Sequence, residues 1–450
     1  MSRHLSYVLL AWFALCAQPA FAALEIQTWQ TPGGARVLFV ESRALPILDV
    51  SIEFPAGSGR DTPAESGLAN LTLRTMRLGS AASAQTPAMT EDEVSLRLAD
   101  VGAQLSASFD VDRAGYSLRT LSGARERAQA LEILTAVVQR PAFAPEVVTR
   151  EKERVIASLR DANIKPDVIA ARAFAPLVFG DHPYALRAAG EVETVAALQP
   201  ERLARFHRRH YVRGGAVIAL IGDVSRDEAQ HIAQSLADDL PAGEAASSLP
   251  PVQALQQAAR RDIEHDSTQA HVLLGAPGIR RSDPDYFALL VGNYILGGGG
   301  FNSRLTAEVR EKRGLTYSVY SVFSPYAREG AFTIGLQTRK DQAEEALRVV
   351  RETLERFVHE GPTQSELAGA QQHIVGGFPL RIDSNRKILG YLAVIGFYRL
   401  PLDWLERYPE QVARVTLDQI RDAFQRRVDP QRMATVVVGG APAASQRTQP

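Results

Sequence analysis

The chain carries one cysteine in 450 residues, Cys16, and it falls within the first 22 residues. That opening stretch, "MSRHLSYVLLAWFALCAQPAFA", has a short basic start, an apolar run and an Ala20-Phe21-Ala22 ending, the pattern of a secretory signal peptide cut after Ala22. Leu15, in front of the cysteine, is too bulky for a lipoprotein site. Cleavage leaves no cysteine at all, which excludes disulfides, thiolate metal ligands and a cysteine nucleophile. Excess charge is also missing: 50 Lys and Arg stand against 51 Asp and Glu, a formal net charge of −1. Such a balance gives no electrostatic case for nucleic acid. No apolar run after residue 22 is long enough to span a bilayer, so no stable membrane anchor is expected. The reading is an exported, periplasmic protein. P-loop and zinc-finger spacings and a Gly-x-Ser-x-Gly elbow are absent too, which leaves P-loop phosphate binding, zinc fingers and the hydrolase-elbow nucleophile unsupported.

What is present is a repeat. The length is too great for one core and implies two or more domains. Residues 240–262, "LPAGEAASSLPPVQALQQAARRD", are rich in Ala, Ser, Gly and Pro and read as a linker between domains 23–239 and 263–440. The first half opens on the β-like runs "ARVLFVES" and "LDVSIEFPAG", followed by the helical stretch "GLANLTLRTMRLGS". "TEDEVSLRLADVG" is a helix with a threonine N-cap and three acids behind it. "AQLSASFDVDRAGYSLRTLS" alternates like two paired strands, and "ARERAQALEILTAVVQ" and "VVTREKERVIASLRDAN" carry helical spacing. A buried strand, a Gly-Asp turn and an amphipathic helix close the half in "GGAVIALIGDVSRDEAQHIAQSLADDL". The second half repeats strand, helix, helix, strand, strand and helix, through "AHVLLGAPGI", "PDYFALLVGNYILGGGG", "SRLTAEVREKRG", "TYSVYSVFSP", "GAFTIGLQT" and "DQAEEALRVVRETLERFVHEG". The expectation is an α+β fold of two homologous domains from a duplication, each a mixed antiparallel sheet packed with helices. The tail, 441–450, is expected to be disordered.

In "GLANLTLRTMRLGS", Asn70 and Arg74 stand four apart on one helix face, the spacing by which a helix presents two metal ligands. Asn and Arg are poor ligands. This framed helix, "LGGGGFNSRLTAEVREKRGLTYSVYS" and "HYVRGGAVIALIGDVS" together resemble the pitrilysin/insulinase family of zinc peptidases, the inverzincins, and most closely its mitochondrial processing peptidase branch. The likeness runs over roughly residues 24–440 and implies half of a clamshell chamber. In that family the framed helix bears H-x-x-E-H, two histidine ligands and a glutamate that activates water. Laid on this chain, the histidines fall on Asn70 and Arg74 and the glutamate on Leu73. The distal glutamate ligand falls on Ser158, with Glu151 as an upstream acid of the same helix. Zinc needs lone pairs, and an arginine is a fixed cation without an acceptor. Leu73 cannot take a proton from water. The resemblance therefore implies a chain without metal, in which Arg74 fills the vacated space and pairs with Glu151 or lies on a solvated helix face.

The family's sites also use an Arg and a Tyr seven apart, and "REKRGLTY" supplies Arg310 and Tyr317 at that spacing. A guanidinium and a phenol can donate to a peptide carbonyl and its oxyanion; the plainer reading is a solvated helix residue and a strand start. Gly298 and Gly299, within the run from Gly297 to Gly300, match a glycine-rich segment implicated in substrate handling, or merely end a helix. Ser108 and Phe109 lie in the strand "SASFDVDR", which could hold an extended peptide by strand addition. The histidines give no rescue: His207 and His210 match a structural helix end, and His265 and His271 flank a strand without a nearby pair of acids. The implied function is a zinc-less subunit of an exported heteromeric peptidase acting on unfolded peptides. Its partner is a homologue with intact H-x-x-E-H, which carries the zinc and the base. The alternative is a structural or peptide-binding scaffold of the same fold.

Overall fold

A computed structural model describes residues 25–440 other than Gln85 and Ala245. The expected signal peptide, residues 1–22, and the tail, 441–450, lie outside the described residues. The first sheet contains β1 (Gln27–Gln30), β2 (Arg36–Glu41), β3 (Ile47–Phe54), β4 (Gln104–Phe109), β5 (Ala114–Leu121) and β6 (Val217–Gly222). Their order is β1-β2-β6-β3-β5-β4, antiparallel except for the parallel pair β2/β6. The second sheet contains β7 (Ala259–Ile263), β8 (Gln269–Pro277), β9 (Ser318–Phe323), β10 (Ala331–Arg339) and β11 (Ala434–Val438). Its order is β7-β11-β8-β10-β9, and only β7/β11 is parallel. Strand for strand this is β2-β6-β3-β5-β4 again, in order and in direction. The chain is two α+β domains built on one plan.

One boundary differs from the sequence reading. Residues 259–262, expected at the end of the linker, belong to β7, because Ala259–Ile263 pairs in parallel with Ala434–Val438.

The central strands are apolar on both faces, as strands covered twice must be. Val37, Phe39, Ile218 and Leu220 point into the core of the first half. Their alternates Leu38, Val40, Val217, Ala219 and Ile221 point the other way, into a core shared with the second half. Four helices bear on the candidate site and on the junction between the halves: α1 (Leu68–Met76), α2 (Pro145–Asn163), α3 (Pro166–Phe179) and α4 (Asn385–Tyr398). Helix α1 lays Leu68, Ala69, Leu71, Leu73 and Met76 into the first core and packs against α2 and the edge strand β4. Helix α4, although it belongs to the second half, covers β2, β3 and β6 of the first sheet. It comes in at Gly396, where a Cβ would stand 2.6 Å from both Leu38 and Val217. In exchange α3, from the first half, lies on β8 and β11, with Ala170, Ala173, Phe174 and Val178 against Ala434, Val436 and Val438. The halves are interlocked by two crossed helices.

A polar knot closes the junction. Buried Asp112 accepts from the Tyr184 hydroxyl at 2.5 Å, the Tyr398 hydroxyl at 2.9 Å and the Ala327 N–H at 2.7 Å. Burial raises the Asp112 pKa, against the pull of those donors. Arg113 beside it donates to Glu53 at 2.7 Å and Asp110 at 3.0 Å.

Candidate functional site

Helix α1 begins without a cap of its own. Gly67, at φ 94°, offers no side chain. Asp61 takes its place, accepting from Gly67 N–H at 2.8 Å and Ala69 N–H at 2.9 Å. Burial pushes the Asp61 carboxyl up to about 7, against the pull of those two donors. Thr72 and Thr75 each return their hydroxyls to a carbonyl one turn back at 2.8 Å, so the buried face of α1 is satisfied.

Leu73 is buried in the first core, and its carbonyl accepts the hydroxyl of Tyr116. Asn70 is half-buried and Arg74 exposed, one turn apart. Arg74 donates from Nε to Oε1 of Glu151 at 2.6 Å, and its Nη2 contacts the same oxygen. The Glu151 side chain is 4% exposed and that of Arg74 50%, so the acid lies beneath the cation. Arg154, one turn along α2, reaches Oε2 of the same carboxylate at 3.4 Å.

Ser158 is exposed and is not brought to this place. It stands seven residues beyond Glu151, which returns it to nearly the same helix face but about 10 Å further along the axis. The acid set opposite Asn70 and Arg74 is Glu151. Sequence reasoning put the distal position two turns away, and it missed Arg154 and Asp61 altogether.

These residues do not fit zinc. They comprise a carboxamide, a leucine, two guanidiniums and one carboxylate already engaged by both cations. Among the described residues no group of three or more His, Cys, Asp or Glu stands together to hold a metal ion. His207 donates Nε2–H to the Val138 carbonyl at 2.8 Å, and His265 donates to that of Ile164 at 3.0 Å, so both rings are engaged structurally.

The Arg/Tyr pair lies in the second domain. Residues 294–298 and Thr306–Glu311 wind as π-helix rather than α-helix, a distortion found often at functional sites. Arg310 sits in the second of these segments with its guanidinium 4.7 Å from the centre of the Phe301 ring. It makes no ion pair among the described residues. Tyr317, at the entry to β9, is 84% exposed, and its hydroxyl has no partner among the described residues. Its neighbour Thr316 fixes the corner, donating to the carbonyls of Ser318 at 2.7 Å and Gln337 at 2.5 Å.

Gly298 is exposed at the end of the first π segment. Gly299 is held tightly: a Cβ there would stand 2.7 Å from the Tyr294 carbonyl oxygen. That packing alone requires a glycine. Ser108 donates to Glu53 at 3.2 Å, and Phe109 packs partly buried on the first core. Both belong to β4, which among the described residues pairs only with β5 and is one edge of the first sheet, β1 being the other; β9 is the edge of the second sheet that corresponds to β4.

Comparison with known proteins gives one answer. The family profile described as insulinase (peptidase family M16) matches residues 36–186, and that described as peptidase M16 inactive domain matches residues 197–374. The chain is 28% identical over 424 residues to an uncharacterized zinc protease of Streptomyces coelicolor, covering 91% of this chain and 88% of that protein. It is 24% identical over 442 residues to the non-peptidase homolog YmxG of Helicobacter pylori, covering 97% and 98% respectively. A crystal structure of a peptidase M16 inactive domain from Pseudomonas fluorescens superposes with a TM-score of 0.89 at 37% identity, covering 93% of this chain and 99% of that one.

Proposed function

Because the chain belongs to the insulinase family, peptidase family M16, and has no metal-ligand set on α1, we propose that it is the zinc-less subunit of an exported heteromeric peptidase. A homologous partner with intact H-x-x-E-H supplies the metal and the base. This chain closes the other half of the chamber in the periplasm and presents Arg310 and Tyr317 to the peptide bond. An unfolded peptide adds along the edge strand β4 past Ser108 and Phe109, with Gly298 offering open backbone from the second domain.

The observation that carries this reading is Tyr317. A large aromatic residue 84% exposed, with a hydroxyl that no described group uses, contributes nothing visible to the fold. A phenol in that state can donate to a carbonyl oxygen as negative charge develops on it. Arg310, free of any carboxylate, can grip the same carbonyl or a terminal carboxylate. A second reading, a peptide-binding scaffold without a catalytic role, has one observation in its favour: the Arg310 guanidinium rests on Phe301.

Steady-state kinetics of the complex reconstituted from both chains separates the two. Tyr317→Phe should lower kcat roughly 100-fold, the scale of losing one oxyanion donor, with a much smaller change in KM. A wild-type kcat in that variant would make the scaffold reading the better account.

A further inference from the structure

We propose that the emptied metal position has become a carboxylate site, in which Asn70, Arg74 and Arg154 hold the C-terminal carboxylate or an acidic side chain of an extended peptide lying along β4. The proposal deepens the peptide-handling reading above and rests on it for the presence of a peptide at that edge.

Charge comes first. Two guanidiniums share one carboxylate at this place, a local surplus of one positive charge. Of the neighbouring cations of α2, one is neutralised and the other is held on a carbonyl with its charge intact. Arg150 pairs with Glu91, and Lys152 donates to the Leu198 carbonyl at 2.7 Å.

Donors come second. Arg74 commits Nε and Nη2 to Oε1 of Glu151, which leaves Nη1 without an acceptor among the described residues. Arg154 commits only Nη1, at 3.4 Å, which leaves Nε and Nη2. The Asn70 carboxamide has no partner among the described residues and sits one turn before Arg74 on the same helix face. Planar guanidinium forks match a carboxylate better than any other side chain does.

Layering comes third. The cations are 50% and 57% exposed while the Glu151 side chain is 4% exposed. A buried anion beneath two exposed cations holds the guanidiniums in place without filling the side from which a second anion arrives.

Position comes last. Helix α1 packs on β4, whose outer backbone edge is unpaired. A chain added to that edge therefore runs near α1, whose Asn70 and Arg74 lie outside the first core. Where the family would set a cationic metal, this chain keeps positive charge in another form, and it turns from polarising a carbonyl to anchoring an anion.

Titration calorimetry on the mature chain alone tests this. The probes are a decapeptide of Ala, Val, Thr and Ser with a free C-terminus, its C-terminally amidated twin, and the amidated peptide carrying one internal Asp. The free acid should bind about tenfold more tightly than the amide, the scale of one charge-assisted hydrogen bond, and added salt should shrink the advantage. Arg74→Gln with Arg154→Gln should abolish it and leave the amide's affinity unchanged. Glu151→Gln should enlarge it several-fold by releasing both guanidiniums, a gain that no folding defect can produce. Tight binding of the Asp peptide identifies a side chain as a sufficient source; weak binding identifies the terminus. Equal affinity for acid and amide, or no gain in Glu151→Gln, overturns the carboxylate site while leaving strand addition intact. Failure of both peptides to bind overturns strand addition and this site together. The Tyr317→Phe kinetics stand apart from either result.

Discussion

Arg74 is half of an ion pair with Glu151 in which the acid lies buried and the cation half-exposed. Removing the cation leaves the buried Glu151 carboxylate desolvated, with only the longer contact to Arg154. Arg74→Ala should therefore destabilise the protein by about 1–3 kcal/mol, with Arg154 limiting the loss. The test is the urea midpoint, with Glu151→Gln in the same background relieving most of the cost.

A second residue-scale prediction concerns His207. Burial holds its pKa down to about 4, below the ordinary 6.5, so the unfolded chain takes up a proton that the fold refuses. Its contribution is complete above pH 6.5 and is lost as pH falls toward 4. Asp61 works in the opposite sense. Its carboxyl is raised from 3.8 to about 7, so its contribution weakens as pH rises through that window. The clean measurement is a difference. The stability gap between wild type and His207→Gln should narrow by about 3 kcal/mol from roughly pH 7.5 to pH 4. A gap independent of pH would mean that the ring titrates in the fold as it does in the unfolded chain.

At this scale the sequence was legible where spacing is unique and illegible where it repeats. Asn70 and Arg74 could be placed on one face from a four-residue interval alone. The resemblance sets the distal position at Ser158, seven residues past Glu151, a step that brings a helix back to nearly the same face. The pairing of Arg74 with Glu151 is one of two expectations and is present. Only the packing of α2 against α1 decides which turn meets Arg74.

Among the elements, the strands and most helices were readable because each advertises its own period. The threonine N-cap expected at Thr90 is present, and Glu93 closes it into a capping box. The two crossed helices, α3 and α4, had no assignment. An apolar helical face shows that something covers it, not which sheet does so, and here each lies on the sheet of the other half. The π segments around Arg310 were likewise invisible, since "SRLTAEVREKRG" has ordinary helical composition and its distortion comes from tertiary packing. The crossing also yields a prediction. Gly396 admits α4 to the first sheet, so Gly396→Val must push either the helix or Leu38 and Val217 aside. Such overpacking should cost about 1–3 kcal/mol. It should appear as a lower urea midpoint at unchanged slope, while Gly390→Ala, whose Cβ would meet nothing within 4 Å, should leave the midpoint near wild type.

For the whole molecule, interlocking overrides the apparent two-domain plan. Two independent units would melt separately; these share a core that includes Leu38, Val40 and Ile221 from one half and Ile388, Leu392 and Ile395 from the other. A single calorimetric transition is the expected outcome, with both halves losing near-ultraviolet signal together. Residues 23–258 and 259–440 expressed separately should each be insoluble, and coexpression should restore a soluble complex. Two resolved transitions, or a folded first half alone, would show that the crossed helices are dispensable.

The crossing at α4 also sets an order of events during biosynthesis. A ribosome completes the first sheet long before the helix that covers one of its faces, because β6 ends at Gly222 and α4 begins at Asn385. Until then Leu38, Val40, Val217, Ala219 and Ile221 form a naked apolar face on an otherwise complete sheet, the kind of intermediate that aggregates. A nascent chain must be kept from collapsing there. The requirement falls on cellular holdases, which would find their binding surface in that one unclosed face.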